Sequence, residues 1–354
     1  MNMETRVLVV GEPAEADPAI EEAAELLRRG LPVAFPTETV YGLGADCTRA
    51  DAVARIYEAK NRPHDNPVIV HVAEVAQLDA FCLDLDERVA LLAEAFWPGP
   101  LTLVLKARPP LHQTVGRGLD TVGIRVPNHP VAVALIAKSG LGIAAPSANI
   151  SGKPSPTKAK HVFNDLNGRI PLILDGGPCS VGIESTVLDV SGPRPAILRP
   201  GWVTGRQLDK VLGVRVQRHG EVGQEKRSPG TRYRHYSPDA PLLLLGPDLS
   251  DDDFRMLQSC FLASQGAKLG YIGRRDDAVD SRTLYMRYAA DELNRFTKDL
   301  YLNLRAMDEE GVTHIIADGF EEEGHGRSLM DRLRRASTSV LLRRNDVIAI
   351  CNCM

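Results

Sequence analysis

Lys60-Asn61-Arg62 stands directly before Pro63, with two cations flanking one residue. A helix tends to end at or before the residue preceding a proline, so both side chains leave a helix terminus where they can meet one anion. Taken alone, the tripeptide reads better as a solvated helix end. Ser147-Ala148-Asn149 sets a hydroxyl and an amide two residues apart, just past an apolar run, and an extended backbone presents both on one side. In the segment 121–126, Val122, Ile124 and Val126 fall on one face of a strand, and Thr121, Gly123 and Arg125 on the other. A guanidinium fixed on a strand suits bidentate contact with carboxylate or phosphate. The run PTETVYGLG over 36–44 offers hydroxyls and glycine-exposed amides at a strand end, as a small polar ligand requires and as an ordinary turn also provides. Ser185 and Arg199, each in or beside a short apolar run, add a hydroxyl and a cation. His71 sits within the apolar stretch 68–72 and by itself reads as a core histidine. No pair of carboxylates and no obvious nucleophile stands out; what remains is a set of polar and cationic residues at strand ends and tight turns.

The elements that must hold them alternate between helix and strand. Asp17-Pro18 reads as an N-cap and N1 proline, with Ile20, Ala23, Ala24 and Leu27 next at helical spacing and Gly30 as a stop. Further helices are expected at 51–61, 74–82, 86–96, 130–139 and 158–165. Strands are expected at 31–35, 68–72, 101–105, 122–126, 141–145, 172–174, 185–190 and 196–198. Hairpin-like spacing over 183–199 argues for a mixed sheet. Between about 201 and 241, charge and turn formers replace apolar periodicity, and this stretch reads as a linker. A second α/β pattern lies beyond it, with strands at 242–245, 268–272, 314–317 and 347–350 and helices near 251–265, 287–310 and 326–336. The division is therefore 10–205, a linker or active-site lid at 206–240, and 241–354.

Composition bounds the function. With 354 residues, 44% hydrophobic and 25% charged, the chain is long enough for two ordinary cores. A net charge of −4 and 5% aromatic residues weigh against a general polyanion binder or a base-stacking platform. The six cysteines include no CxxC pair and fit a reducing compartment. Cys351 and Cys353 are two ligands at most, short of a structural zinc set. The N-terminus lacks a secretory pattern and no apolar run spans a membrane, so a cytoplasmic protein without membrane contact is expected. P-loop and dinucleotide glycine fingerprints are absent, as are GxSxG and HExxH.

The order and spacing of these clusters, from Pro36 to Gly201, resemble the YrdC-like domain of the threonylcarbamoyl-AMP synthase family, whose KxR and SxN motifs are here Lys60-Asn61-Arg62 and Ser147-Ala148-Asn149. The stretch SPGTRYRHYSP over 228–238 resembles the linker of the long, two-domain form. GHGR over 324–327 and DRLRRA over 331–336 resemble its C-terminal domain. The resemblance implies an α/β fold: a YrdC-like domain with a twisted mixed sheet, a linker, and a smaller Rossmann-like open α/β domain. It implies synthesis of L-threonylcarbamoyl-AMP from L-threonine, bicarbonate and ATP, with Mg²⁺ on the nucleotide and release of pyrophosphate. It places L-threonine on Thr39, His71, Arg125, Ala145 and Ser185. ATP or the reacting carbamate falls to Lys60, Arg62, Asn66, Thr121, Ser147, Asn149, Ser155, Arg199 and Tyr236, with Lys60, Arg62, Ser147 and Asn149 nearest the reaction. No resident metal site is implied. A tRNA threonylcarbamoyl transferase would take up the product, and a weak tRNA contact is compatible with that role. Two other readings stay open: a non-catalytic RNA-binding module, and carbamoyl transfer as in hydrogenase maturation, whose proteins carry a similar domain with paired-Cys zinc motifs that this chain lacks.

Overall fold

The computed structural model describes residues 4–109, 111–221, 235–275 and 280–352. The chain divides into two compact units, one of residues 1–151 and 155–233, the other of 152–154 and 234–354. In the first, local rules set the helices. Asp17 caps Pro18–Arg28 by accepting from Ala19 N at 2.8 Å, and Ile20, Ala23, Ala24 and Leu27 are its buried face. Ala50–Lys60 stops at Asn61, whose φ of 50° is the left-handed cap that asparagine tolerates. Lys60 is thereby the last helical residue, and Arg62 comes just after the turn.

The strands of this unit are β1 (Arg6–Val9), β2 (Val33–Phe35), β3 (Gly42–Asp46), β4 (Ile69–His71), β5 (Cys82–Leu83), β6 (Leu101–Ala107), β7 (Thr121–Arg125), β8 (Ile143–Ala144), β9 (Leu172–Asp175), β10 (Thr186–Asp189) and β11 (Ala196–Arg199). They form one mixed sheet in the order β1-β9-β2-β3-β8-β4-β7-β6-β10-β11, with β5 on β6. The hairpin expected over 183–199 is the antiparallel pair β10 and β11. Alternation covers both faces of the sheet. Val33 and Phe35 pack with Ile20, Leu27 and Leu135, while Ala34 between them packs with Leu43, Ile56 and Ile173. Val122, Ile124 and Val126 join a third cluster, as their spacing requires. The strand β3 carried no sequence signal because its GLGAD composition is poor in strand formers. Gly44 is there for closeness: a Cβ would stand 2.6 Å from Ile143 Cγ2.

The linker reading fails at its start. Gly205–Leu212 is a helix, opened by a reciprocal Thr204 and Gln207 capping box, and Leu208 is fully buried against the helix Glu87–Phe96. Its apolar stripe is too short to register as a period. Residues 222–234, with Arg232 and Arg234 of the resembled linker motif, lie outside the described residues.

The second unit holds an open, wholly parallel sheet of β12 (Leu242–Leu245), β13 (Leu269–Gly273), β14 (Thr283–Arg287), β15 (His314–Asp318) and β16 (Ser339–Leu341). The order is β14-β13-β15-β12-β16. It is Rossmann-like in being an open parallel α/β sheet, while its third and fourth places are exchanged relative to the dinucleotide-binding order. The expected strand at 347–350 is instead the helix Arg344–Asn352, whose start is fixed by Asp346 accepting from Leu342 N and Arg343 N. The long helix is Leu293–Glu309 and starts later than expected, because β14 runs to Arg287 and a turn separates the two. Cys351 is a free thiol, and Cys353 lies outside the described residues. No helix among the described residues is long and apolar enough to cross a membrane.

Candidate active site

Main-chain bonds draw the sequence clusters together in the first unit. Tyr41 N donates to Pro156 O, Leu43 N to Pro146 O and Ala148 N to Tyr41 O, all at 2.8–2.9 Å, and Ser151 N donates to Lys60 O at 2.9 Å. The turn after β2 is thus zipped to the Ser147-Ala148-Asn149 segment, which is itself held to the helix ending in Lys60. The Lys60 ammonium, 1% exposed, donates to Asn149 O at 2.5 Å and to Ser147 O. Arg62 donates from Nη2 to Pro67 O at 2.9 Å and lies 5.8 Å from the Tyr57 ring centre. The two cations therefore do not simply project toward one point. Each braces a loop of the site through a backbone carbonyl.

Arg125 ends β7 directly beside His71, its partner in register on the parallel strand β4. Nε donates to Gly99 O at 3.0 Å and Nη1 to Thr39 Oγ1 at 2.8 Å, while Nη2 stands 2.5 Å from Glu38 Oε2. Thr37 directs its hydroxyl proton to Val40 O, so the 2.8 Å contact between the two threonine hydroxyls is donated by Thr39. Burial, reinforced by the adjacent Arg125 charge, lowers the His71 pKa to about 3 and keeps the ring neutral. Ala145, buried beyond β8, donates its N–H to Ile69 O at 2.9 Å.

A third group gathers at β10 and β11. Ser185 Oγ lies 2.8 Å from Thr102 Oγ1, and Arg199 donates from Nη2 to Ser185 O at 3.0 Å and Oγ at 3.2 Å. Ser155 donates to Glu184 at 2.5 Å. Gly201 is required because a Cβ there would stand 2.3 Å from Thr186 N. Asn66 is fully buried with neither amide atom hydrogen-bonded among the described residues, and Thr121 lines a small cavity with Pro67, Ile69 and Gly123.

Tyr236 alone of the expected set lies in the second unit, at a left-handed φ of 66°, against the Tyr301 ring and with the Arg332 guanidinium 5.8 Å from its centre. Sequence reasoning passed over Glu38, Thr102 and Glu184. Glu38 stood inside the quoted PTET run, but nothing local distinguishes an ion-paired buried carboxylate from a solvated one.

Residues 25–201 match the Sua5/YciO/YrdC family model, described as "Telomere recombination", and residues 203–338 match the model "Threonylcarbamoyl-AMP synthase, C-terminal domain". A threonylcarbamoyl-AMP synthase of Bacillus subtilis is 45% identical over 340 residues, covering 95% of this chain and 97% of the relative. One from Pyrococcus abyssi is 44% identical, covering 90% and 94%. The crystal structure of P. abyssi Sua5 complexed with L-threonine superposes with a TM-score of 0.86 at 41% identity, covering 96% of this chain and 99% of that one. A KxR helix end bound to an SxN loop beside a strand-borne arginine, together with likeness along nearly the whole length, means that the chain belongs to the threonylcarbamoyl-AMP synthase family in its two-domain form.

Proposed function

We infer the division of labour by which this nucleotidyltransferase makes L-threonylcarbamoyl-AMP from L-threonine, bicarbonate and ATP, the precursor for threonylcarbamoyladenosine in tRNA. Arg125, held from Gly99 and Thr39, takes the threonine carboxylate, and neutral His71, Ala145 and Ser185 complete that pocket with hydrogen-bonding and apolar contact. Arg62, Asn66, Thr121, Ser147, Ser155 and Arg199 take the nucleotide, and Tyr236 is assigned to it on the family resemblance. The carbamate oxygen attacks the α-phosphorus and pyrophosphate leaves. That step needs alignment and cationic stabilisation rather than a strong base. Lys60, Arg62, Ser147 and Asn149 supply both. Mg²⁺ enters with ATP, as a cation held mainly by phosphate and water. The lid expected at 206–240 falls in part on residues 222–234, outside the described residues, and a tRNA threonylcarbamoyl transferase consumes the product.

The observation that carries this reading is the juxtaposition of His71 and Arg125 in register, with Thr39 on the guanidinium. Pyrophosphate release is measured with ATP, L-threonine and bicarbonate supplied or omitted one at a time. Release that needs all three is expected. Release without threonine would remove Arg125 from the proposed role.

A further inference from the structure

Glu38 is 4% exposed and has no part in the division of labour inferred for the site. Its carboxylate touches Arg125 Nη2 at 2.5 Å, yet neither Glu38 oxygen nor Nη2 makes an aligned hydrogen bond among the described residues. The 2.5 Å contact pairs the two charges, and Glu38 Oε1 is left with no hydrogen bond among the described residues, a costly state for a buried carboxylate oxygen. Other contacts fix both partners in place. Arg125 is held by Gly99 and Thr39, and Glu38 by its own carbonyl, which accepts from Val181 N at 2.7 Å. The pair is therefore preorganised and incompletely satisfied.

An α-amino acid supplies the complement. Its carboxylate needs a donor and its amino group an acceptor, the two lying about 2.5 Å apart across Cα. A simple carboxylate would satisfy Arg125 and leave Glu38 wanting, and a hydroxy acid would offer Glu38 one neutral O–H in place of a charged ammonium. Resting on the assignment of the threonine carboxylate to Arg125, we propose that Glu38 is the subsite for the α-amino group of L-threonine and so orients the nitrogen that becomes the carbamate. The carboxylate accepts from the ammonium on binding, and it can still accept from the one N–H that the carbamate retains. Glu38 thereby sets the selection of an amino acid over its hydroxy counterpart.

Calorimetric titration of the full chain with L-threonine and with 2,3-dihydroxybutanoate of the same configuration, in which a hydroxyl replaces the amino group, tests this. The unaltered protein is expected to prefer L-threonine by roughly 10- to 100-fold, the range of a charge-assisted hydrogen bond. Glu38→Gln should bring that ratio near one, chiefly by weakening L-threonine, and Glu38→Asp should retain part of it. Equal loss of both ligands in Glu38→Gln would mean that Glu38 only steadies Arg125, and would overturn the proposal. Absence of preference in the unaltered protein would overturn it without any variant, which guards against a variant that fails to fold. Arg125→Lys separates the two assignments: unchanged L-threonine affinity there would sink the carboxylate site itself, whatever Glu38 does.

Discussion

The Lys60 ammonium reaches across 87 positions of chain to the carbonyl of Ser147, joining the KxR and SxN motifs through a side chain and a backbone. A second bond to Asn149 O makes Lys60 the brace of the whole SxN loop. Its charge therefore serves loop geometry and, under the proposed division of labour, also an electropositive floor for the nucleotide.

Replacing Lys60 by methionine keeps most of the buried stem and removes the donors. The carbonyls of Ser147 and Asn149 lose this charged partner, at a cost of about 1–3 kcal/mol each where burial leaves them dry. Pyrophosphate release should fall by about 100-fold or more, the scale of a lost preorganised donor. Urea unfolding and the release assay check the two effects. A variant with reduced activity and unchanged stability would contradict the bracing role.

Thr102 and Ser185 should behave as a coupled pair. The hydroxyl contact at 2.8 Å and the Arg199 bond to Ser185 Oγ lie in one buried group. Ser185→Ala is expected to cost about 1–2 kcal/mol, and Thr102→Ala to cost much less once Ser185 is gone. A double-mutant cycle by urea unfolding measures this. Additive losses would show the contact to be energetically silent.

Gly201→Ala places a methyl against the backbone of Glu184, Ser185 and Thr186, atoms that no rotamer change can move aside. Destabilisation of about 1–3 kcal/mol is expected from such overpacking, with a larger loss of activity because Ser185 is displaced. Thermal unfolding and pyrophosphate release on the same sample check it.

His71 gives the protein an acid-sensitive contribution to stability. Its pKa is about 3 in the folded chain against an ordinary value of 6.5, so the unfolded state binds the extra proton between those values. Stability conferred by the neutral, buried ring is complete above about pH 6.5 and is lost as pH falls toward 3. At about pH 4.5 the loss from this one group approaches 2–3 kcal/mol. A folded His71→Asn variant should show a shallower fall of stability across that window. An identical pH profile would mean that the ring accepts a proton without unfolding.

Leu208→Ala tests the corrected boundary. A helix that belongs to the first unit's core loses about 2–5 kcal/mol on removal of a fully buried leucine, whereas a linker loses almost nothing. Chemical denaturation of the full chain distinguishes them.

Consecutive residues alone determined much of this protein. The Asp17-Pro18 start, the Lys60-Asn61 helix end, the alternation of 121–126 and the separation into two α/β patterns depend on caps, turns and period, which act over a few positions and are written locally. The KxR and SxN motifs, in their order, carried the family. Tertiary structure decided what these residues do to one another. The Val347 segment became a helix rather than a strand because Ser339–Leu341 already held the edge beside β12 and Asp346 capped the next turn. Gly42–Asp46 became a strand because two neighbours offered backbone partners that its composition could not advertise. Glu38 meets Arg125, and Thr39 meets it across 86 positions, only once the sheet aligns β7 with the turn after β2. The entropy of closing such long loops is offset by burial spread over the whole core, so no short window of sequence contains these pairings.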